Sequence, residues 1–406
     1  MKKLLALCLV LMLSLCCLPG CENVPMPEYT PAIDVTTPFI GFRSEKPKGA
    51  DLEGYERVEL ETINAYTPEY AGYGVTVYHD TLTPQEQTVY RIIQYAMDRC
   101  MPCVFIDTRL LPELEQEMEE ILFCIALDNP LLEQNVNWQY WGASYQIPNP
   151  NPFSNEPGQK LEGVVLEVKE FTPEKLEKKK QAITAAERIL KDLPATGTDA
   201  TKAEYLYRYL GQNVEYFNAE DWGAERDFLY DALVEGKTLC DGFANAYSLL
   251  CNMAGIPCLE KQFTPEELGE TGHTWNAVLL DGAWYNVDAT GSEEVKAEYP
   301  TLMNFGFSDA RLEYETDYED RVPKCENELI PPDVTVTKTS KAGSQVKKAW
   351  KTVKKTGRGY VVVSFPGGEP KKSVMQKIAN SLQKDITYVS KVTRTGEAIY
   401  YIYPKK

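Results

Sequence analysis

The stretch from His273 to Thr290 restricts the fold of this chain more than any other. His273-Thr274-Trp275-Asn276-Ala277-Val278-Leu279-Leu280 alternates as a strand, and Ala283 to Thr290 alternates back. Between them stands Asp281-Gly282, a two-residue hairpin turn whose residues tolerate the positive φ that such turns demand. A two-residue loop pairs Leu280 with Ala283, and counting outward pairs Trp275 with Asp288. His273 shares a face with Trp275, so it is the diagonal neighbour of Asp288 on that face. Diagonal Cβ atoms of an antiparallel pair lie about 7 Å apart or less, a gap that an imidazole and a carboxylate can bridge. A slip of one residue would send the two to opposite faces. Turn chemistry alone therefore sets an orienting carboxylate beside a histidine.

A nucleophile is written upstream. Gly236-Lys237-Thr238-Leu239-Cys240-Asp241-Gly242-Phe243 leads into a helix whose apolar stripe is Phe243, Tyr247, Leu250 and Ala254. Gly255-Ile256-Pro257 ends it, with Gly at the C′ position and Pro soon after. Cys240 is thus expected at the helix N-terminus, where unpaired N–H groups and the positive end of the dipole favour a thiolate. The same N–H groups can hold an oxyanion. Cys251 and Cys258 read as plain buried thiols. With His273 and Asp288, Cys240 has the logic of a Cys-His-Asp triad.

The Gly-x-x-x-Cys helix entry, the Gly-Ile-Pro-Cys exit, His-x-Trp-Asn, Asp-Gly-x-Trp-Tyr and Val-Asp-x-Thr together resemble the transglutaminase-like superfamily of microbial proteins. Asn304-Phe305-Gly306-Phe307-Ser308-Asp309 resembles the segment that follows its catalytic aspartate, and the match runs over roughly residues 200 to 310. Phe243 stands where the family usually has Tyr. The resemblance implies an α+β, papain-like core: a Cys-bearing helix packed on an antiparallel sheet. It implies Cys240 as nucleophile, His273 as general base and acid, and Asp288 as its orienter. Trp275 is expected to line the substrate site. The implied chemistry is acyl transfer through a Cys240 thioester on a protein or peptide, cell-wall peptide included, with hydrolysis preferred over transamidation. The family includes inactive members, so a binding or scaffolding module is the alternative.

The first residues speak to the compartment. Lys2 and Lys3 precede an uncharged apolar run from Leu4 to Leu18, shorter than the about 20 residues a bilayer span needs and proportioned like a secretory h-region. Leu18-Pro19-Gly20-Cys21 resembles a bacterial lipobox, which makes Cys21 the expected lipidation site; a plain cleaved signal is the other reading. The expected location is extracytoplasmic, held to the membrane by lipid. Of 11 cysteines, seven lie beyond Cys21, and an odd number leaves at least one thiol free. Cys100-Met101-Pro102-Cys103 reads as a local disulfide or as buried thiols, since no βαβ context makes it a redox motif. Two histidines and a single C-x-x-C do not make a zinc site, and no cofactor is expected.

The formal net charge is −18 over 406 residues, which argues against a nucleic-acid partner. From Pro331 onward, however, 16 Lys and Arg face 4 Asp and Glu, marking a separate module. The expected organisation is a signal over 1–20, a tether over 21–60 and an N-terminal α+β extension over 61–170. The catalytic domain follows over 171–330, then a basic linker over 331–358 and a small basic module over 359–406. An anionic envelope polymer is the partner expected for that module. Within the extension, Gly74 to His79 reads as a strand and Thr83 to Asp98 as a helix.

Overall fold

The computed structural model describes residues 36–44, 52, 54–132, 138–147, 158–168, 173–217, 227–265, 272–296, 302–312 and 315–405. Cys21, the apolar run before it and most of the expected tether lie outside the described residues. Contacts divide the chain into a unit of Pro38–Tyr145 with Glu162–Lys406 and a smaller one of Met1–Thr37 with Gln146–Leu161. Of the smaller, only 36–37, 146–147 and 158–161 are described, and the architecture below is that of the larger. Among the described residues no helix is long and apolar enough to cross a membrane.

The N-terminal part is built on strands β1 (Ile40–Arg43), β2 (Glu56–Arg57), β3 (Cys103–Asp107), β4 (Trp138–Ile147) and β5 (Gln159–Val168), in the order β2-β1-β3-β5-β4. Helices α1 (Leu60–Ala65), α2 (Pro84–Asp98) and α3 (Leu114–Asp128) accompany it. Helix α2 starts where its sequence says it must. The Thr83 side chain accepts from the Glu86 N–H, the Glu86 carboxylate accepts from the Thr83 N–H at 2.6 Å, and Pro84 takes the first helical position. The expected tether stops short of residue 60, because Ile40 and Phe42 are buried with α2 and α3. So short an apolar patch in a Pro-rich stretch carries no period to read.

Gly74–His79 is not a strand. The Asp128 carboxylate, at the end of α3, accepts from the Tyr78 and His79 N–H groups, and its carbonyl from Val75. These bonds curl the segment into turns around Asp128. Burial pushes that carboxyl up to about 7, against the pull of the same two N–H groups and of Tyr90. Nor do Cys100 and Cys103 form a disulfide. Cys103 opens β3 and its sulfur lies 3.1 Å from the Tyr55 hydroxyl.

The middle of the chain holds α4 (Pro173–Leu190), α5 (Asp199–Asn213), β6 (Glu215–Tyr216), β7 (Lys237–Thr238) and α6 (Cys240–Met253). A four-stranded antiparallel sheet follows: β8 (Cys258–Phe263), β9 (His273–Leu280), β10 (Ala283–Val287) and β11 (Phe305–Phe307), in the order β11-β10-β9-β8. Helix α6 is buried nearly all round. Phe243, Tyr247 and Leu250 pack into a core with α4, α5 and the sheet. The opposite face carries Asn245, Ser248 and Asn252, and these bind the sheet edge-on. Asn252 clamps the backbone of Cys258 through both its amide atoms, at 2.8 and 2.9 Å, and Ser248 donates to the Cys258 carbonyl. The fold is α+β with a Cys-bearing helix on an antiparallel sheet.

The C-terminal sheet comprises β12 (Val334–Thr335), β13 (Val361–Phe365), β14 (Ile386–Val392) and β15 (Ala398–Pro404), in the order β12-β13-β15-β14. Helices α7 (Ala342–Val353) and α8 (Lys372–Leu382) cover one face with Val346, Val353, Val374 and Ile378. The expected linker over 331–358 is therefore folded. Its lysines hid an amphipathic helix whose apolar positions, Ala342, Val346, Ala349, Trp350 and Val353, alternate with charge. The other face, with Val362, Ile399 and Tyr401, packs on Met303, and the Arg311 guanidinium donates to the Tyr401 hydroxyl.

Candidate active site

The hairpin has the register its turn dictates. Asp281 and Gly282 take φ of 52° and 86°, and Leu280 pairs with Ala283 through to Asn276 with Val287. The next step outward sets Trp275 against Asp288, and His273 Nε2 lies 3.0 Å from Asp288 Oδ2. The Asp288 N–H donates to the Asn304 carbonyl at 2.8 Å, and the carboxylate's other oxygen accepts from the Thr290 N–H at 3.1 Å. Both carboxylate oxygens are thus engaged, and the carboxylate is held as well as placed.

Cys240 is the first residue of α6. Gly242 makes this entry possible, since a Cβ there would stand 1.9 Å from Thr238 Oγ1 and 2.8 Å from the Phe228 carbonyl. The Cys240 thiol donates to Asp241 Oδ2 at 3.9 Å, and hydrogen bonding between Cys240 and His273 joins helix to sheet. Asp241 is tied down by Thr274, whose hydroxyl donates to Asp241 Oδ1 at 2.6 Å. Cys240 is 9% exposed, and the His273 and Asp288 side chains are 19% and 18% exposed. Solvent reaches the edge of the site but does not flood it.

The charges are coupled. Burial works against a protonated His273, yet the hydrogen bonds to Asp288 and Cys240 and their negative charge raise its pKa to about 10. Burial pushes the Asp288 carboxyl up. The hydrogen bond and charge of His273, the charge of Lys391 and the Thr290 N–H outweigh it and hold the carboxyl below its usual range. Such an arrangement favours the protonated form of His273 beside the Asp288 carboxylate.

Trp275 does not line a substrate site. It is 1% exposed, its indole N–H donates to Asn286 Oδ1 at 3.1 Å, and its ring lies roughly parallel to His273 with centroids 6.0 Å apart. Below it, the ammonium of fully buried Lys261 lies 5.9 Å from the Trp275 ring, 3.2 Å from Asn286 Oδ1 and 3.1 Å from Asp309 Oδ1. Alternation put Trp275 on the histidine's face correctly, but that face is covered by Phe307 and Leu312. The residues that sequence reasoning missed are Lys261, Asn286, Asn304 and Lys391. Only Asn304 had any signal, its place in a segment that resembled the family.

Among the described residues no three His, Cys, Asp or Glu side chains converge to hold a metal ion. A cavity of about 270 Å³ lined by Tyr66, Tyr70, Tyr73, His79 and Asp98 lies in the N-terminal part and includes none of the residues above.

Residues 185–289 match the model of the transglutaminase-like superfamily. Kyphoscoliosis peptidase of Homo sapiens is 30% identical over 145 residues, which is 32% of this chain and 22% of that protein. The Mus musculus protein of the same name is 41% identical over 69 residues, 15% of this chain and 10% of the relative. The chain thus spans less than a quarter of either relative's length. Among solved structures, a TGase is 14% identical with a TM-score of 0.24, covering 34% of this chain and 43% of that one. The periplasmic domain of TgpA from Pseudomonas aeruginosa is 20% identical with a TM-score of 0.21, covering 34% and 59%. With a Cys-bearing helix on an antiparallel sheet and the family's segment matched across it, this chain carries a transglutaminase-like superfamily domain over residues 185–289.

Proposed function

We propose that this protein is a thiol enzyme that cleaves peptide or amide bonds through a Cys240 thioester. The observation that carries the reading is the chain of contacts from Cys240 to His273 to Asp288, the last at 3.0 Å, at the N-terminus of a buried helix. Cys240 attacks the acyl carbon, and the C–N bond breaks as the His273 imidazolium gives its proton to the departing amine. Neutral His273 then takes a proton from water, which attacks the thioester and frees the acid and the thiolate. The N–H groups opening α6 face the oxyanion of both steps. Water as second substrate is favoured over an amine because the site is partly open to solvent, whereas transamidation needs water kept out. The mammalian relatives bear the name of a peptidase, which leans the same way.

The test is selective labelling with chloroacetate, an anion that an imidazolium attracts. Burial raises the thiols of Cys124 and Cys325 to about 12 and that of Cys258 well above its ordinary value. At neutral pH Cys240 is expected to react at least about 100-fold faster than these. The folded pKa of His273 lies above the unfolded value of about 6.5. Its ion pairing therefore contributes stability fully below about pH 6.5 and loses that contribution as pH rises through about 10. Labelling should hold across neutrality and fall near pH 10 as the imidazolium discharges. Equal labelling of Cys240 and Cys124, or a selective Cys240 with no turnover on any peptide or amide library, would refute the enzyme reading.

The compartment belongs to the same proposal. Gly20-Cys21 at the end of an apolar run fits lipid anchoring outside the cytoplasm. An alkyne fatty acid fed to cells should tag the wild type and not Cys21→Ala; untagged wild type in the medium would mean plain secretion.

A further inference from the structure

A side chain of the C-terminal sheet, Lys391, reaches the residues that hold Asp288. Lys391 stands on β14, the edge strand, paired with Ile399. Its neighbour on the same face, Val389, pairs with Tyr401. That face, with Ile399 and Tyr401, is the one packed on Met303, so Lys391 points toward the catalytic sheet and not toward α7 and α8. Its ammonium donates to Asn304 Oδ1 at 3.5 Å and lies 5.4 Å from the centre of the Phe307 ring. Asn304 in turn accepts the Asp288 N–H on its carbonyl at 2.8 Å. Its amide fits only because residue 291 is Gly, where a Cβ would lie 2.2 Å from the amide nitrogen. The strand is pinned nearby: the Arg394 N–H donates to the Leu312 carbonyl, and its guanidinium meets Glu315 at 3.1 Å.

We propose that Lys391 is a positioning residue of the Cys240 site: from the C-terminal sheet its ammonium braces Asn304, which holds the Asp288 backbone. The proposal rests on the thiol-enzyme reading and deepens it. Much of the positive charge after Pro331 has no such role, but this lysine makes the C-terminal sheet part of the enzyme.

The charged and titratable groups at the site come from every element around it. Asp288 faces His273 of β9 and Lys391 of β14, with the Thr290 N–H beside it. His273 faces Cys240 of α6 as well as Asp288. Asp241 of α6 is held by Thr274, and the Tyr216 hydroxyl of β6 feels Cys240, Asp241 and Asp288. Removing one cation from this set makes every anion in its reach harder to form and relieves the repulsion on the imidazolium. Each of these effects raises a pKa, so both limbs of the site's pH profile must move the same way.

The experiment is the chloroacetate rate at Cys240 across pH, measured on the full chain for wild type, Lys391→Gln and Lys391→Arg. Gln keeps a donor for Asn304 and loses only the charge; Arg keeps the charge. Lys391→Gln is expected to displace both limbs upward by roughly half a pH unit, and Lys391→Arg to restore the wild-type limbs. A folded Lys391→Gln whose limbs coincide with wild type overturns the proposal, as does an equal displacement in Gln and Arg, which would mean packing alone. If wild-type Cys240 shows no selectivity to begin with, the thiol-enzyme reading falls and this one with it. An unshifted Lys391→Gln beside a selective wild type sinks only this one.

Discussion

Cys240→Ala, His273→Ala and Asp288→Ala are each expected to cut turnover of the acyl donor that wild type processes by roughly 10³-fold or more, with circular dichroism unchanged. The three groups act as one chain, from sulfur to imidazole to a carboxylate 3.0 Å away. Once one is gone, the others have little left to do. The double variant Cys240→Ala with His273→Ala should therefore lose hardly more than the worse single one. Asp288→Ala should be the mildest, since it orients and does not touch the substrate. Full turnover in a folded Cys240→Ala protein would end the mechanism, and strictly additive losses would mean that the three do not act together.

Trp275→Ala is expected to lower stability by about 3–5 kcal/mol, as deletion of a fully buried aromatic does. The indole is 1% exposed and its N–H is spent on Asn286. That asparagine also anchors the buried ammonium of Lys261 and donates to Asp309 at 2.9 Å. Opening a cavity here loosens the floor under His273, so activity should fall through disorder of the site. Trp275→Phe keeps most of the volume and loses one hydrogen bond, and it should cost clearly less. Urea unfolding of the three proteins decides the matter. A Trp275→Ala protein of wild-type stability with a raised KM would return Trp275 to the substrate site.

Trp275 also shows where reading the chain residue by residue stops. Strand alternation gives the face a side chain points to, but not what covers that face. Phe307 and Leu312 cover Trp275, and they arrive from residues beyond the hairpin. Asn245, Ser248 and Asn252 are a similar case. Read along the helix they look like its wet face, whereas the sheet buries them: Asn252 clamps the Cys258 backbone, Ser248 donates to the Cys258 carbonyl, and Asn245 donates to Glu260. In Gly74–His79 the local pattern suggested a strand, and a carboxylate some 50 residues later, Asp128, claimed the backbone N–H groups instead. The basic run after Lys341 masked α7 because charge dominated its apolar stripe of Ala342, Val346, Ala349, Trp350 and Val353.

What the sequence determined by itself was whatever depends on neighbours within about 20 residues. Asp281-Gly282 sets the hairpin register, and the register sets His273 against Asp288. Gly236 to Gly242 and Gly255 set the ends of α6, and so the position of Cys240 at its start. These are consequences of backbone sterics and hydrogen-bond spacing, which act before any tertiary contact forms. Only the tertiary structure decided that Cys240 meets His273, that Trp275 and Lys261 are interior, and that Lys391 lies within reach of Asn304. Each of those depends on two elements burying apolar surface against each other, and burial is non-directional. It names no partner until the whole core has closed.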